Sequence, residues 1–292
     1  VDETPTANKQ PTWTWTGSAS ADAASYEVSL DGAAAIDIGK PDPLAYTPAP
    51  LADGTHTLKV RTIDLRGNAS DWTGEVEVEV DTTVATPTAP VATKNPTNEI
   101  PVWTWAAVAD PHGPVTYNVY FDGAFAENVG AATTWHPAAI PADGSHYLEI
   151  EAVDDLDNVS AKSERGYVMI DTTPPAVPAM KALAPFTKDA TLTFEWSASD
   201  TAVKYELSYS KDGGANWTQA PNLIAQSCTV DIADVADGIA VLGKVRAYDG
   251  VGNVSEYSGA VQTIIDRTGP VVTITKPTAA VTTNAAEFKY EW

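Results

Sequence analysis

The stretch LADGTHTLKVRTIDLRGNASDW, Leu51–Trp72, decides how this chain is read, because the chain writes it three times. It returns as IPADGSHYLEIEAVDDLDNVSAK over Ile140–Lys162 and more loosely as VADGIAVLGKVRAYDGVGNVSEY over Val235–Tyr257. Each copy holds a run that alternates apolar and polar residues, the period of a half-buried strand. Each then closes on an Asp-x-x-(Gly/Asp)-Asn-x-Ser phrase.

The surrounding sequence repeats in step. Val80-Asp81-Thr82-Thr83 recurs as Ile170-Asp171-Thr172-Thr173 and as Ile265-Asp266-Arg267-Thr268, and Val1-Asp2-Glu3-Thr4 resembles a further copy. Trp15, Trp105, Trp196 and Trp292 are spaced by 90, 91 and 96 residues. Self-similarity at such a period marks an array of like units. The expected units are residues 1–80, 81–170 and 171–265, with 266–292 opening a fourth. Repeat 1 has 13 residues from Asp2 to Trp15 where repeat 2 has 24 from Asp81 to Trp105, so its first strand is expected to be reduced. Two strands cannot bury a core, so the opening of the fourth unit reads as part of a longer array, or as a segment completed by another chain.

Inside one unit the strands are legible. Trp13 and Trp15 share one face of their strand, with Thr12, Thr14 and Thr16 on the other. Ser25–Gly32, Thr116–Gly123 and Lys204–Gly213 alternate and end in Asp-Gly, which favours the positive φ pair of a tight hairpin. In GEVEVEVD, Val76, Val78 and Val80 are expected to face inward and the glutamates water. No segment has helical period. Short strands, frequent turns, about 90 residues per unit and an early buried Trp describe tandem immunoglobulin-like or fibronectin III-like β-sandwiches, an all-β chain.

The phrase LADGTHTLKVRTIDLRGNAS followed by VDTT resembles the bacterial Ig-like, fibronectin type III-like repeats of large surface adhesins. The likeness spans essentially the whole chain. Repeat 3 departs from it, with GIAVLGK where the others have Gly-x-His. The resemblance implies a secreted or cell-surface location and a mechanical task. In the family, calcium at the junctions stiffens the stalk.

Composition narrows the alternatives. Seventeen Lys and Arg against 39 Asp and Glu give a net charge of −22, which argues against nucleic acid and anionic membrane partners. With 43% hydrophobic residues and nine Trp the chain can still bury a core. No apolar run reaches a membrane span. The single Cys228, in SCTVDI, excludes an intrachain disulfide and reads as a small core residue.

Motifs of catalysis are not found. No His-Glu-x-x-His, Cys-x-x-Cys, Gly-x-Ser-x-Gly or phosphate loop occurs, and no enzyme is expected. His56 and His146 hold equivalent places where repeat 3 has Ala240, so a structural role is expected. Ser210–Trp217, SKDGGANW, resembles an Asp-box, which in sialidase propellers caps a hairpin without catalysing. Trp72, Trp135 and Trp217 stand outside the recurring Trp positions. They are candidate sugar-stacking platforms, although such residues also cover sheet edges.

In a sandwich of this type the B–C and F–G loops lie at the end where the chain enters. Each unit should therefore gather three carboxylates: Asp2, Asp22 and Asp64; Asp81, Asp110 and Asp154, with Asp155 and Asp157 nearby; and Asp171, Asp200 and Asp249. Like charges repel unless a cation lies between them, and Ca²⁺ takes six to eight oxygens in flexible geometry. The alternative is that Asp and Asn are simply good turn residues. The expected function is a non-catalytic stalk or fibre segment of a secreted adhesin-type protein, with Ca²⁺ at its junctions. Its partners would be neighbouring domains of the same longer chain or like subunits, and surface glycans or proteins. The alternatives are a self-assembling extracellular filament subunit and a glycan-binding accessory module of a secreted hydrolase.

Overall fold

The computed structural model describes residues 3–273. Every regular element among them is a β-strand. The expectations placed on Asp2 and on residues 274–292 lie outside the described residues. The chain divides into two compact units, Val1–Asp171 and Thr172–Trp292.

The first unit holds two sandwiches. In repeat 1 a four-stranded sheet runs in the order Ile36–Asp37, Ala23–Leu30, Gly54–Asp64, Val76–Val80. The pair Trp13–Thr14 and Ala45–Tyr46 faces it. Trp13, Tyr26, Val28, Leu58, Val60 and Val78 form the core between them. In repeat 2 the large sheet runs Ala124–Asn128, Thr116–Phe121, Gly144–Val153, Gly166–Ile170. Opposite it lie Thr134–Trp135, Trp103–Thr104 and Val91–Ala92. Both large sheets are antiparallel. A single parallel bridge ties each last strand to the entering chain, Thr6 to Val80 and Thr97 to Ile170.

The second unit is a third sandwich. Its large sheet orders Phe186–Thr187, Val261–Ile265, Ala240–Tyr248, Lys204–Ser210 and Thr218–Leu223. The strands Thr191–Glu195 and Ser227–Asp231 oppose it. Here the parallel bridge has lengthened into a strand, with Phe186 and Thr187 opposite Ile264 and Ile265. Three strands against four is the fibronectin type III arrangement, seen whole in repeat 2.

The recurring tryptophans hold these layers together. Trp13 and Trp103 donate their Nε1–H to the Val76 and Gly166 carbonyls, at 3.2 and 3.1 Å. Trp15, Trp105 and Trp196 instead bury Nε1 with no hydrogen-bond partner. They are held by packing, each edging onto a tyrosine, Tyr26, Tyr117 or Tyr205, at 5.6 to 5.8 Å between ring centres. Asp31-Gly32 and Asp122-Gly123 adopt the left-handed pairs expected of them, with φ of 50° and 72°, and 50° and 82°.

Val76 does not face inward as the alternation suggests; it is 46% exposed, whereas Val78 and Val80 are buried. The counterpart of Val76 in repeat 2 is Gly166, since both carbonyls accept the core indole. A Cβ on Gly166 would collide with the Pro90 carbonyl oxygen, because the strand Val91–Ala92 passes there. Among the described residues repeat 1 has no strand in that place, so a valine fits but stays uncovered.

Candidate functional site at the junction of repeats 1 and 2

The closing phrase of each repeat is a loop built around its own aspartate. Asp154 Oδ1 accepts the Leu156 and Asn158 backbone N–H groups at 2.9 Å, and Oδ2 accepts the Asn158 side-chain amide at 2.8 Å. Asp64 with Asn68 and Asp249 with Asn253 make the same bonds. The Asn68 side chain and backbone hold the Asp64 carboxyl below its usual pKa. The serine of the phrase then turns back, so that Ser70, Ser160 and Ser255 Oγ accept the N–H of Thr62, Ala152 and Ala247. Three residues on, Thr73, Ser163 and Ser258 serve Val60, Ile150 and Val245 in the same way.

The Asn253 amide also reaches the Thr173 carbonyl, at 3.4 Å, and Asn158 makes the matching contact more closely. Its amide also donates to the Asp81 carbonyl at 3.1 Å, which ties repeat 2 to the segment that enters it. Repeat 1 grips the same segment from the other side. Thr82 and Thr83 donate their hydroxyls to the two oxygens of Asp53, at 2.7 and 3.0 Å. These bonds hold the Asp53 carboxyl below its usual pKa. Asp237, the counterpart of Asp53 in repeat 3, takes the backbone N–H of Arg267 and the hydroxyl of Thr268.

Between these grips lies a cleft of about 330 Å³ lined by Asp53, Glu79, Asp81, Thr83, Asp110 and His112 among others. Asp81, Asp110 and His112 bring ligand atoms within 4.8 Å of one another, the one such trio among the described residues. His112 Nδ1 lies 2.7 Å from Asp81 Oδ2 and 4.0 Å from Asp110 Oδ1. Its Nε2 lies 3.0 Å from Glu79 Oε1. The Asp110 and Asp81 side chains are 5% and 10% exposed. The Asp81 and Glu79 carboxylates raise the His112 imidazole above its ordinary pKa.

The structure thus brings Asp81 and Asp110 together but completes the trio with His112. Asp154 spends both oxygens on its own loop, and Asp157 is exposed in a left-handed conformation at φ 62°. The imidazole alters the donor chemistry: Ca²⁺ takes oxygen ligands, so this trio does not fit calcium. In repeat 1, Asp22 and Asp64 line one cleft of about 250 Å³ with Ser18, Ser20, Asn68 and Ser70, and Asp64, like Asp154, turns both oxygens into its own loop. Asp171 closes the first unit. In the second, Asp200 is exposed and caps Thr201, while Asp249 is buried in its loop.

The candidate sugar platforms separate. Trp135 is a correction: it is 7% exposed, packs on Trp103 and Phe121, and donates Nε1–H to Glu127, so neither ring face is open to a sugar. Trp72 is half-buried under the Arg61 guanidinium, 4.6 Å from its centre. Trp217 is 37% exposed and lies beside Lys244 at 4.5 Å. Asp212 of the Asp-box-like hairpin is lowered to about pKa 2, first by the Asn216 backbone N–H and then by its side chain.

His112, Glu79 and Asp53 escape a reading by repetition for different reasons. Histidine stands at 112 in repeat 2 only, with no counterpart in the loops of Asp22 and Asp200. Glu79 reads as an outward strand residue. Asp53 did carry a signal, since Ala-Asp-Gly precedes the long strand in all three repeats and recurs with the Thr of the next linker phrase.

Solved structures share the fold at low identity. Fibronectin domains FN1–FN3 of chicken CNTN1 match at 14% identity, covering 88% of this chain and 94% of that one, with a TM-score of 0.32. A Ca²⁺-stabilised adhesin with which an Antarctic bacterium binds ice matches at 15%, covering 91% and 72%, with 0.45. A 1.5-MDa bacterial ice-binding adhesin matches at 14%, covering 84% and 87%, with 0.49. No family model matches the sequence, and no curated protein does. The fold itself rests on the β-sandwiches, whose regular elements are all strands among the described residues.

Proposed function

We propose that this chain is a non-catalytic structural segment of a secreted or cell-surface adhesin-type protein, in which repeats 1–80, 81–170 and 171–265 act as links of a stalk. The observation that supports it most is the double grip on the segment after Val80. Asp53 of repeat 1 holds Thr82 and Thr83, and Asn158 of repeat 2 holds the Asp81 carbonyl. A linker hydrogen-bonded from both sides transmits force and resists bending, which a stalk needs and a flexible tether lacks. The partners are the neighbouring domains of the same protein. Calcium, in this reading, sits in the cleft that Asp22 lines with Asp64, where carboxylate and hydroxyl oxygens of Asp22, Ser18 and Ser20 are at hand.

Backbone ¹⁵N relaxation on the full chain tests the reading. Repeats 1 and 2 should report one rotational diffusion tensor. Independent tumbling of the two would count against a stalk. Added EDTA should broaden amides around Asp22 and Asp64 if calcium is held there.

A further inference from the structure

We propose that the cleft at the junction of repeats 1 and 2 binds a divalent transition cation of the zinc class through Asp81, Asp110 and His112. The inference stands on the cleft and not on the stalk reading.

The donor set selects the ion. One imidazole nitrogen with two carboxylates suits Zn²⁺ and its first-row neighbours, whereas Ca²⁺ and Mg²⁺ are oxygen seekers. Bonds of about 2.0–2.2 Å in tetrahedral geometry place neighbouring donors ~3.4 Å apart. The observed separations from His112 Nδ1, 2.7 Å to Asp81 Oδ2 and 4.0 Å to Asp110 Oδ1, bracket that value. The Asp81 and Asp110 oxygens lie within 4.8 Å of each other, so adjustments of about an ångström would admit the ion, with water as a fourth ligand.

The surroundings are those of a metal ligand set. Metal-binding histidines commonly donate their other ring N–H to a carboxylate, which fixes the tautomer. His112 Nε2 faces Glu79 Oε1 at 3.0 Å, leaving Nδ1 for the ion. The Thr83 backbone N–H holds Asp81 Oδ1 at 3.2 Å, and that of His112 holds Asp110 Oδ1 at 2.9 Å. Charge points the same way. Asp53, Glu79, Asp81 and Asp110 line the cleft with His112, and no Lys or Arg is among its lining residues. Asp53 is exposed and Glu79 is 40% exposed, but the side chains of Asp81 and Asp110 are buried, and one imidazole faces them both. Two buried carboxylates beside a single imidazole favour a cation. Glu79 belongs to the last strand of repeat 1, Asp81 to the linker and Asp110 to repeat 2, so the ion would pin the junction. The loops of Asp22 and Asp200 carry no histidine, so one ion per chain is expected.

The test is calorimetric titration of the tag-free, chelator-stripped full chain with Zn²⁺ and separately with Ca²⁺, followed by Co²⁺ absorption to report tetrahedral coordination. One Zn²⁺ should bind per chain. His112→Gln should weaken it by about a hundredfold or more, and Glu79→Gln by ~10-fold. A variant lacking His56, His136 and His146 should bind as the parent does. Unchanged Zn²⁺ affinity in His112→Gln, or no Zn²⁺ heat in a parent chain with an intact melting transition, would overturn the proposal. If the two repeats tumble independently while zinc still binds through His112, the stalk reading fails and this one stands.

Discussion

At the scale of single residues, His56 and His146 show how one ring can join two turns. His56 Nδ1 meets Asp31 Oδ2 and Nε2 meets the Ala52 carbonyl, both at 2.8 Å. His146 repeats this with Asp122 and Ala142 at 2.7 and 2.8 Å. Carboxylate and carbonyl oxygens only accept, so both ring nitrogens must donate and the imidazolium is the favoured form. Burial works against that charge, but the aspartate and carbonyl bonds outweigh it, and both histidines lie above the ordinary 6.5. Burial likewise opposes the charge on Asp31, yet its bond to His56 leaves it below 3.8. A raised histidine contributes stability in full below 6.5 and loses it as pH rises through the folded-state value. A lowered aspartate contributes above 3.8 and loses it as pH falls through its folded value. Melting temperature should therefore be higher at about pH 5.5 than at about pH 8.5, and the double variant His56→Ala/His146→Ala should flatten that dependence. Each single change should cost about 1–2 kcal/mol near pH 6, measured by urea unfolding. Equal slopes in parent and variant would refute the clamp. That His56 and His146 are structural is legible from Ala240 at their place in repeat 3. Their charge is not, because Asp31 and Asp122 stand 25 and 24 residues away and only folding brings them to the ring.

Among elements, the loop after each long strand does more than turn. Ser160 and Ser163 take the N–H groups of Ala152 and Ile150, both fully buried. Ser160→Ala or Ser163→Ala leaves one such donor unpaired, at about 1–3 kcal/mol each by chemical denaturation. Val159→Ala, at an exposed position of the same loop, should change little. The residue between these hydroxyls lies on the outer sheet face against a neighbour of opposite kind. Trp72 lies under Arg61, Lys162 over Tyr120 at 3.3 Å, and Tyr257 beside Lys244 and Arg246. Burial, then the Glu206 carboxylate, pushes the Tyr257 hydroxyl up to about 12. This aromatic–cation pairing explains Trp72 without a sugar. Gly166→Ala should also be costly, at about 1–3 kcal/mol or more in thermal unfolding, because the added methyl meets the Pro90 carbonyl. A neutral outcome would mean that the first strand of repeat 2 shifts freely.

For the whole molecule, the decisive bonds are few and lie at the junction inside the first unit. Asn158→Ala should free the Asp81 carbonyl and, in ¹⁵N relaxation, let repeats 1 and 2 reorient separately. Its cost to stability should be about 1–3 kcal/mol, because the buried Asp154 carboxylate loses the amide on Oδ2 as well. Asn68→Ala removes the same loop bond in repeat 1 and serves as a control, with no expected effect on the junction.

The amino-acid sequence alone determined the strands, the hairpins and the β-sandwich, because alternation, Asp-Gly turns and a repeated Trp are local signals that neighbouring residues enforce. It also placed Asp81 and Asp110 at one end of repeat 2, since topology sends the entering chain and the B–C loop to the same pole. Only the tertiary structure decided that His112 and Glu79 join them, that Asp154 turns into its own loop, that Trp135 is core and that Val76 is exposed. The outcomes at the junction depend on groups that meet across sequence separations of 31 and 77 residues, as Asp81 meets His112 and Asn158. A pattern of period two or ninety does not encode such distances.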